Sequence, residues 1–112
     1  NLTITGAFVA SGNVTAYSDK RLKDNIEPII KALSKIQKLS GNTYTRNDLE
    51  DTKKRYAGVI AQEVEAVLPE AVSNPKDDIK AVDYNAVIAL LVEGVKELQV
   101  EINVLKQKLE NK

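Results

Sequence analysis

Apolar residues recur at alternating spacings of four and three along the C-terminal third of the chain: Tyr84, Ile88, Leu91, Val95, Leu98, Ile102, Leu105 and Leu109. This pattern is a heptad seam, and it constrains the fold more than any other feature. Taking Ile88, Val95, Ile102 and Leu109 as a positions puts Leu91, Leu98 and Leu105 at d, with no polar residue interrupting the seam. Asp83 is a residue type that caps helix N-termini, which sets the expected coiled coil at about 83–111. About 28 helical residues would project about 42 Å, too far for a helix merely packed on a small body. Glu101 falls at g and Lys106 at the following e, an attractive pair between parallel identical helices. A parallel homo-oligomer follows. Its strand number does not, since β-branched a residues with Leu at d favour dimers on general rules. The stripe is narrow and its flanks are charged, which points to self-association rather than to a membrane or cofactor surface.

The rest of the composition narrows the function. The 112 residues contain no histidine and no cysteine, so neither a Ser-His-Asp arrangement nor a disulfide framework can be built. Sixteen basic and sixteen acidic residues cancel, leaving no global field that would favour nucleic acid or an anionic membrane as partner. One Phe and no Trp or Met leave the core to Val, Ile, Leu and Ala, so oligomerisation is a natural supplement to a small core. No apolar run approaches the roughly 20 residues of a membrane span, and the start lacks a signal peptide pattern. The absence of methionine predicts that the chain begins inside a longer polypeptide. No Gly-rich phosphate loop is present, Asp77 and Asp78 read as turn residues, and neither metal nor cofactor is expected.

Three zones follow along the chain, giving an α+β class: a small mixed body with a long C-terminal helix. Residues 1–17 carry no charged side chain and alternate at Leu2 to Thr5 and at Val14 to Tyr17, which predicts two short strands around a turn at Ser11 to Asn13. Such a segment reads as the end of an upstream β-rich body. The middle predicts a helix starting near Pro28 with Ile29, Ile30, Leu33 and Ile36 on one face. Then come a strand at Thr43 to Arg46, a charged loop, a strand at Tyr56 to Ile60 and a short helix at Gln62 to Leu68. Glu63 and Glu65 are expected on the wet face of that helix. A hairpin is expected from Ala71 to Val82.

Charges begin abruptly at Asp19, and Ser18 stands five residues before Lys23. A serine nucleophile needs a base, and in this chain lysine is the conventional choice left. Residues five apart do not meet on a regular helix or strand, so a bend must join them. Leu22 and Ile26 suggest a helical face beginning there. The lysine must also lose its proton near neutral pH, from about 10.4 towards 7 or 8. Lys20 and Arg21 push that way, and Asp19 and Asp24 push against it. The spacing by itself also fits an ordinary capping serine and a solvated lysine.

Three ordered motifs carry a resemblance: Ser18-Asp19-Lys20-Arg21-Leu22-Lys23-Asp24-Asn25-Ile26; Tyr56-Ala57-Gly58-Val59-Ile60-Ala61-Gln62-Glu63-Val64 with Val67-Leu68-Pro69-Glu70; and Val82-Asp83-Tyr84 leading into Leu90-Leu91-Val92. Residues 18–112 resemble the C-terminal intramolecular chaperone domain of phage endosialidases and tail fibres, also called the S74 peptidases. A similar domain occurs in membrane-bound myelin-regulatory transcription factors. The resemblance implies an intertwined parallel homotrimer that registers and folds the upstream fibre or tailspike and then cuts itself off. Ser18 would be the nucleophile, Lys23 the general base, and Tyr17-Ser18 the cut bond. Residues 1–17 would be the end of the fibre shaft. The location implied is the virion tail fibre precursor, in the host cytoplasm during assembly, with release from the mature fibre after cleavage. The alternatives are a non-cleaving trimeric tip and a coiled-coil adaptor with unrelated partners.

Overall fold

The computed structural model describes residues 2–111; Asn1 and Lys112, which end the expected shaft and helper segments, lie outside it. The elements in order are α1 (Ala32–Ile36), β1 (Asn42–Thr45), β2 (Arg55–Gly58), α2 (Ala61–Val67), β3 (Val72–Lys76), β4 (Ile79–Val82) and α3 (Tyr84–Glu110), with 3-10 turns at Lys20–Leu22 and Pro69–Ala71. A mixed body of short helices and two antiparallel hairpins therefore sits on the first half of a long helix. This agrees with the α+β expectation.

Four local expectations hold closely. Strand β1 pairs with β2 from Asn42 opposite Gly58 to Thr45 opposite Arg55. The charged loop separates them, and α2 stops where Pro69 removes a backbone donor. In the β3-β4 hairpin Lys76 faces Ile79, and Asp77 and Asp78 turn the chain with φ of 51° and 58°. Two consecutive positive φ values make a tight primed turn, which short Asp side chains tolerate.

Three expectations are corrected. Among the described residues, 2–17 form no strand; the segment is irregular and exposed, because short strands without a partner sheet have little to bury. The helix does not begin at Pro28. Lys31 adopts a left-handed conformation (φ 54°, ψ 41°), which separates Pro28-Ile29-Ile30 from the five-residue α1. Nor do Leu22 and Ile26 share a helix, since Asn25 is also left-handed at φ 56° and breaks the path between the first turn and Pro28.

Ala32, Val64, Leu68, Ala71, Val87 and Leu90 form the core, where α1, α2 and the second 3-10 turn close over α3. Leu90 and Val64 are fully buried. Gly94 lies one turn beyond Leu90, and an added Cβ there would collide with Ile36 Cδ1, so glycine allows α1 its close approach. A helix of five residues has no independent stability. Its free N-terminal donors are met from a distance: Glu97 on α3 accepts hydrogen bonds from Ala32 N at 2.7 Å and Leu33 N at 3.0 Å. These bonds hold the Glu97 carboxyl below its usual range, the Leu33 amide contributing most.

Carboxylates also fasten α2. Glu63, expected in water, is half-buried and accepts from Ser40 N at 3.1 Å and Ser40 Oγ at 2.8 Å, tying α2 to the segment before β1. Glu65 pairs with Lys80 at 3.0 Å across to β4.

Two predictions follow from this packing. Leu90→Ala should cost about 2–5 kcal/mol of stability, the range for an aliphatic side chain deleted from a closed core, measured by urea denaturation at fixed protein concentration. Glu97→Gln should lower Tm at neutral pH. Because folding depresses the Glu97 pKa, its stabilisation is complete above the unfolded value of about 4.3 and is lost as pH falls through the lower folded value. The Tm gap between wild type and Glu97→Gln should therefore narrow from pH 6 towards pH 3; a gap independent of pH would contradict the assignment.

Candidate functional site

The chemistry-bearing residues gather where the irregular N-terminal segment meets the start of α3. Asp19 is an N-cap: its Oδ1 accepts from Arg21 N at 2.8 Å, and the 3-10 turn closes through Leu22 N to Asp19 O at 3.0 Å and Lys23 N to Lys20 O at 3.1 Å. This single tight turn supplies the bend that a five-residue spacing requires. It reverses the chain enough for Lys23 Nζ to donate to Ser18 Oγ at 2.6 Å.

The charges around the pair are arranged by the same turn. Arg21 forks onto Asp19, with Nε 3.1 Å from Oδ1 and Nη2 2.8 Å from Oδ2. The Arg21 side chain, and then its backbone N–H, hold the Asp19 carboxyl below its usual range, while Asp19 raises the Arg21 guanidinium. Both residues are exposed, so the fork contributes little to stability. Its effect is to direct the negative charge of Asp19 towards Arg21, leaving Lys23 with Ser18.

Ser18 and Lys23 are exposed in the single chain. They open onto a recess of about 570 Å³ whose other walls are Val14, Ala16 and Tyr17 on one side and Asp83, Asn85, Ala86 and Ala89 on the other. Ala86 and Ala89 place no bulk beneath the passing chain. Asp83 caps α3 by accepting from Asn85 N at 3.0 Å. Tyr17, which precedes Ser18, is 96% exposed and therefore anchored by nothing in the single chain.

The seam residues occupy another face of α3. Ile88, Leu91, Val95, Leu98, Ile102, Leu105 and Leu109 are all between 45% and 68% exposed. At about 100° per residue, the seam points about 90° away from the Val87, Leu90 and Gly94 face that holds the body. Asn85, Ala86 and Ala89 point about 160° away from the seam by the same measure. One helix thus carries the body, an uncovered apolar stripe and a wall of the serine-lysine recess on three different faces.

Sequence reading missed Glu97, because a carboxylate capping a helix more than sixty residues away leaves no local pattern. It also missed the Asp19 cap, for which the signal was present: an Asp directly before a basic turn. Nothing in the sequence places the start of α3, with Asp83 and Asn85, beside Ser18.

Comparison with known proteins covers both halves of this arrangement. Residues 18–73 match the family model Peptidase_S74, described as the chaperone of endosialidase. The chain is 42% identical over 103 residues to the long tail fiber protein Gp37 of Enterobacteria phage K3, covering 87% of this chain and 8% of that protein. It is 37% identical over 116 residues to the Gp37 of Enterobacteria phage M1, covering 93% of this chain and 46% of that protein. The Gp37 of Salmonella phage S16 is 34% identical over 112 residues, covering 93% and 15%. The chain thus spans less than half the length of these relatives, and its similarity to them extends beyond the family match. With the Ser18 turn at its first matched residue and half its length inside the model, the chain belongs to the chaperone-of-endosialidase family, Peptidase_S74.

Proposed function

We propose that this chain is the intramolecular chaperone at the end of a phage tail fibre or tailspike, which trimerises the fibre and then releases itself by autoproteolysis between Tyr17 and Ser18. The observation that carries the reading is the 2.6 Å contact between Ser18 Oγ and Lys23 Nζ at the boundary between an uncharged segment and the charged body. The exposed heptad stripe supports the trimer, with three chains burying their seams against one another. The tail fibre relatives support the identity of the cargo.

In the cleavage step, Ser18 Oγ attacks the carbonyl carbon of Tyr17 while Lys23, neutral at that moment, takes the hydroxyl proton. The tetrahedral intermediate collapses, the Tyr17–Ser18 C–N bond breaks, and the protonated Lys23 returns the proton to the departing Ser18 amine. This leaves an ester between Tyr17 and Ser18 Oγ. Water adds to the ester, its proton passes through Lys23 to Oγ, and the Tyr17 carboxylate departs. Each chain turns over once, so no separate substrate pocket is required.

A lysine acts as base only when desolvation or neighbouring cations favour its neutral form. Because the seam faces away from the recess, zipping the coil does not itself cover the pair. The cover comes from the upstream segment once the assembled shaft fixes residues 14–18 against Ala86 and Ala89. Cleavage then reports completed folding. The arrangement suits a β-rich fibre, whose non-local contacts make assembly slow and open to misregister. A C-terminal seam raises the local concentration of the three chains and aligns them first. After release, the fibre persists behind a high unfolding barrier. Such a chaperone works in the host cytoplasm during virion assembly and leaves the mature fibre.

Ser18→Ala and Lys23→Ala should each abolish cutting while trimers still form, read by mass spectrometry and sedimentation. Lys23→Ala cutting at the wild-type rate would remove the dyad. Uncut wild-type trimers after assembly is complete would instead favour a tip that stays attached. Leu98→Asp together with Leu105→Asp should yield monomers that cut at least tenfold more slowly.

A further inference from the structure

We propose that the Asn85 side chain is a further catalytic residue, donating a hydrogen bond to the carbonyl oxygen of Tyr17 as that oxygen becomes negatively charged. This rests on the autoproteolytic reading above and supplies a part that reading lacks. Attack by Ser18 Oγ turns a neutral carbonyl into an oxyanion, and a neutral donor aimed at it is the largest single aid such a site can offer. The recess holding Tyr17 and Ser18 has few groups able to provide one.

The inventory of its walls leads to Asn85. Val14, Ala16, Ala86 and Ala89 have no polar side-chain atom. Lys23 is occupied with Ser18 Oγ. Asp83 accepts from Asn85 N and, as a carboxylate, has no proton to donate. Three backbone donors of the first α3 turn are engaged: Asn85 N with the Asp83 side chain, and Ala86 N and Val87 N with Asp83 O at 3.1 and 3.4 Å. Asn85 carries a carboxamide with two donor hydrogens, exposed to the recess and hydrogen-bonded to no group among the described residues. The Asp83 cap fixes its backbone, and a neutral amide leaves the charge balance around Lys23 undisturbed. Asn85 therefore brings a free amide donor to the recess that Tyr17 and Ser18 line, and no side-chain hydrogen bond among the described residues competes for it.

The test compares first-order cleavage rates of the full fibre chain carrying Asn85→Ala, Asn85→Asp, Asn85→Ser or Ser18→Ala, with trimer content followed by sedimentation. Asp suits the first turn of a helix, so Asn85→Asp keeps the fold while removing the donor. Loss of one such donor costs about 100- to 1,000-fold in rate. Asn85→Ala and Asn85→Asp should both show that loss with trimers intact, and Asn85→Ser should recover part of it. The Asn85→Ala loss should be uniform from pH 6 to pH 9, since the base is untouched. Wild-type rates in Asn85→Ala or Asn85→Asp would overturn the inference while leaving the dyad standing. So would an Asn85→Ala loss that tracks lost trimer or that shifts the pH profile. Cleavage persisting in Ser18→Ala would instead overturn the reading on which it rests.

Discussion

Everything in this molecule depends on how α3 divides its surface. Its first half holds the body through Val87, Leu90 and Gly94, and Glu97 completes the attachment by capping α1 from outside. Without that carboxylate, a five-residue helix preceded by a left-handed lysine loses the side-chain acceptor of its first donors, since Lys31 provides no cap. The attachment uses one side of the helix only. The seam from Ile88 to Leu109 remains in water, an apolar stripe that a single chain cannot cover. In the proposed function, fold and assembly are therefore two uses of one helix, and the body is held in a fixed orientation to the seam.

The same helix brings the chemistry into register. Asp83 starts α3, Asn85 and the small Ala86 and Ala89 follow, and the segment leading to Ser18 passes beside them. The Ser18 to Lys23 contact itself is local, made by one 3-10 turn that Asp19 caps. A local pair needs no large fold to assemble it. What a larger assembly supplies, in the proposed mechanism, is a fixed position for the Tyr17 carbonyl, which stands free in the single chain.

Much of this was legible in the sequence because it is periodic or local. The heptads marked α3 to within a residue of its ends, Asp83 marked its start, and the turn chemistry marked the β3-β4 hairpin. The need for a bend between Ser18 and Lys23 followed from helical and strand geometry alone. The failures share a cause. Residues 2–17 have strand-like alternation but no partner edge within one chain, so their pattern is not expressed as strands in this fold. Helix α1 could not be bounded, because Glu97 and the left-handed Lys31 decide where it begins and neither leaves a local signal. Glu63 looked solvated because nothing in its own helix announces Ser40.

The central claim is that trimerisation through the seam and cleavage at Ser18 belong to one process. Native mass spectrometry of the chain during maturation reads both quantities at once, the number of subunits and the residue at which each begins. Trimers whose subunits begin at Ser18 are expected, with no cut monomers preceding them. Monomers or dimers already beginning at Ser18 would contradict it.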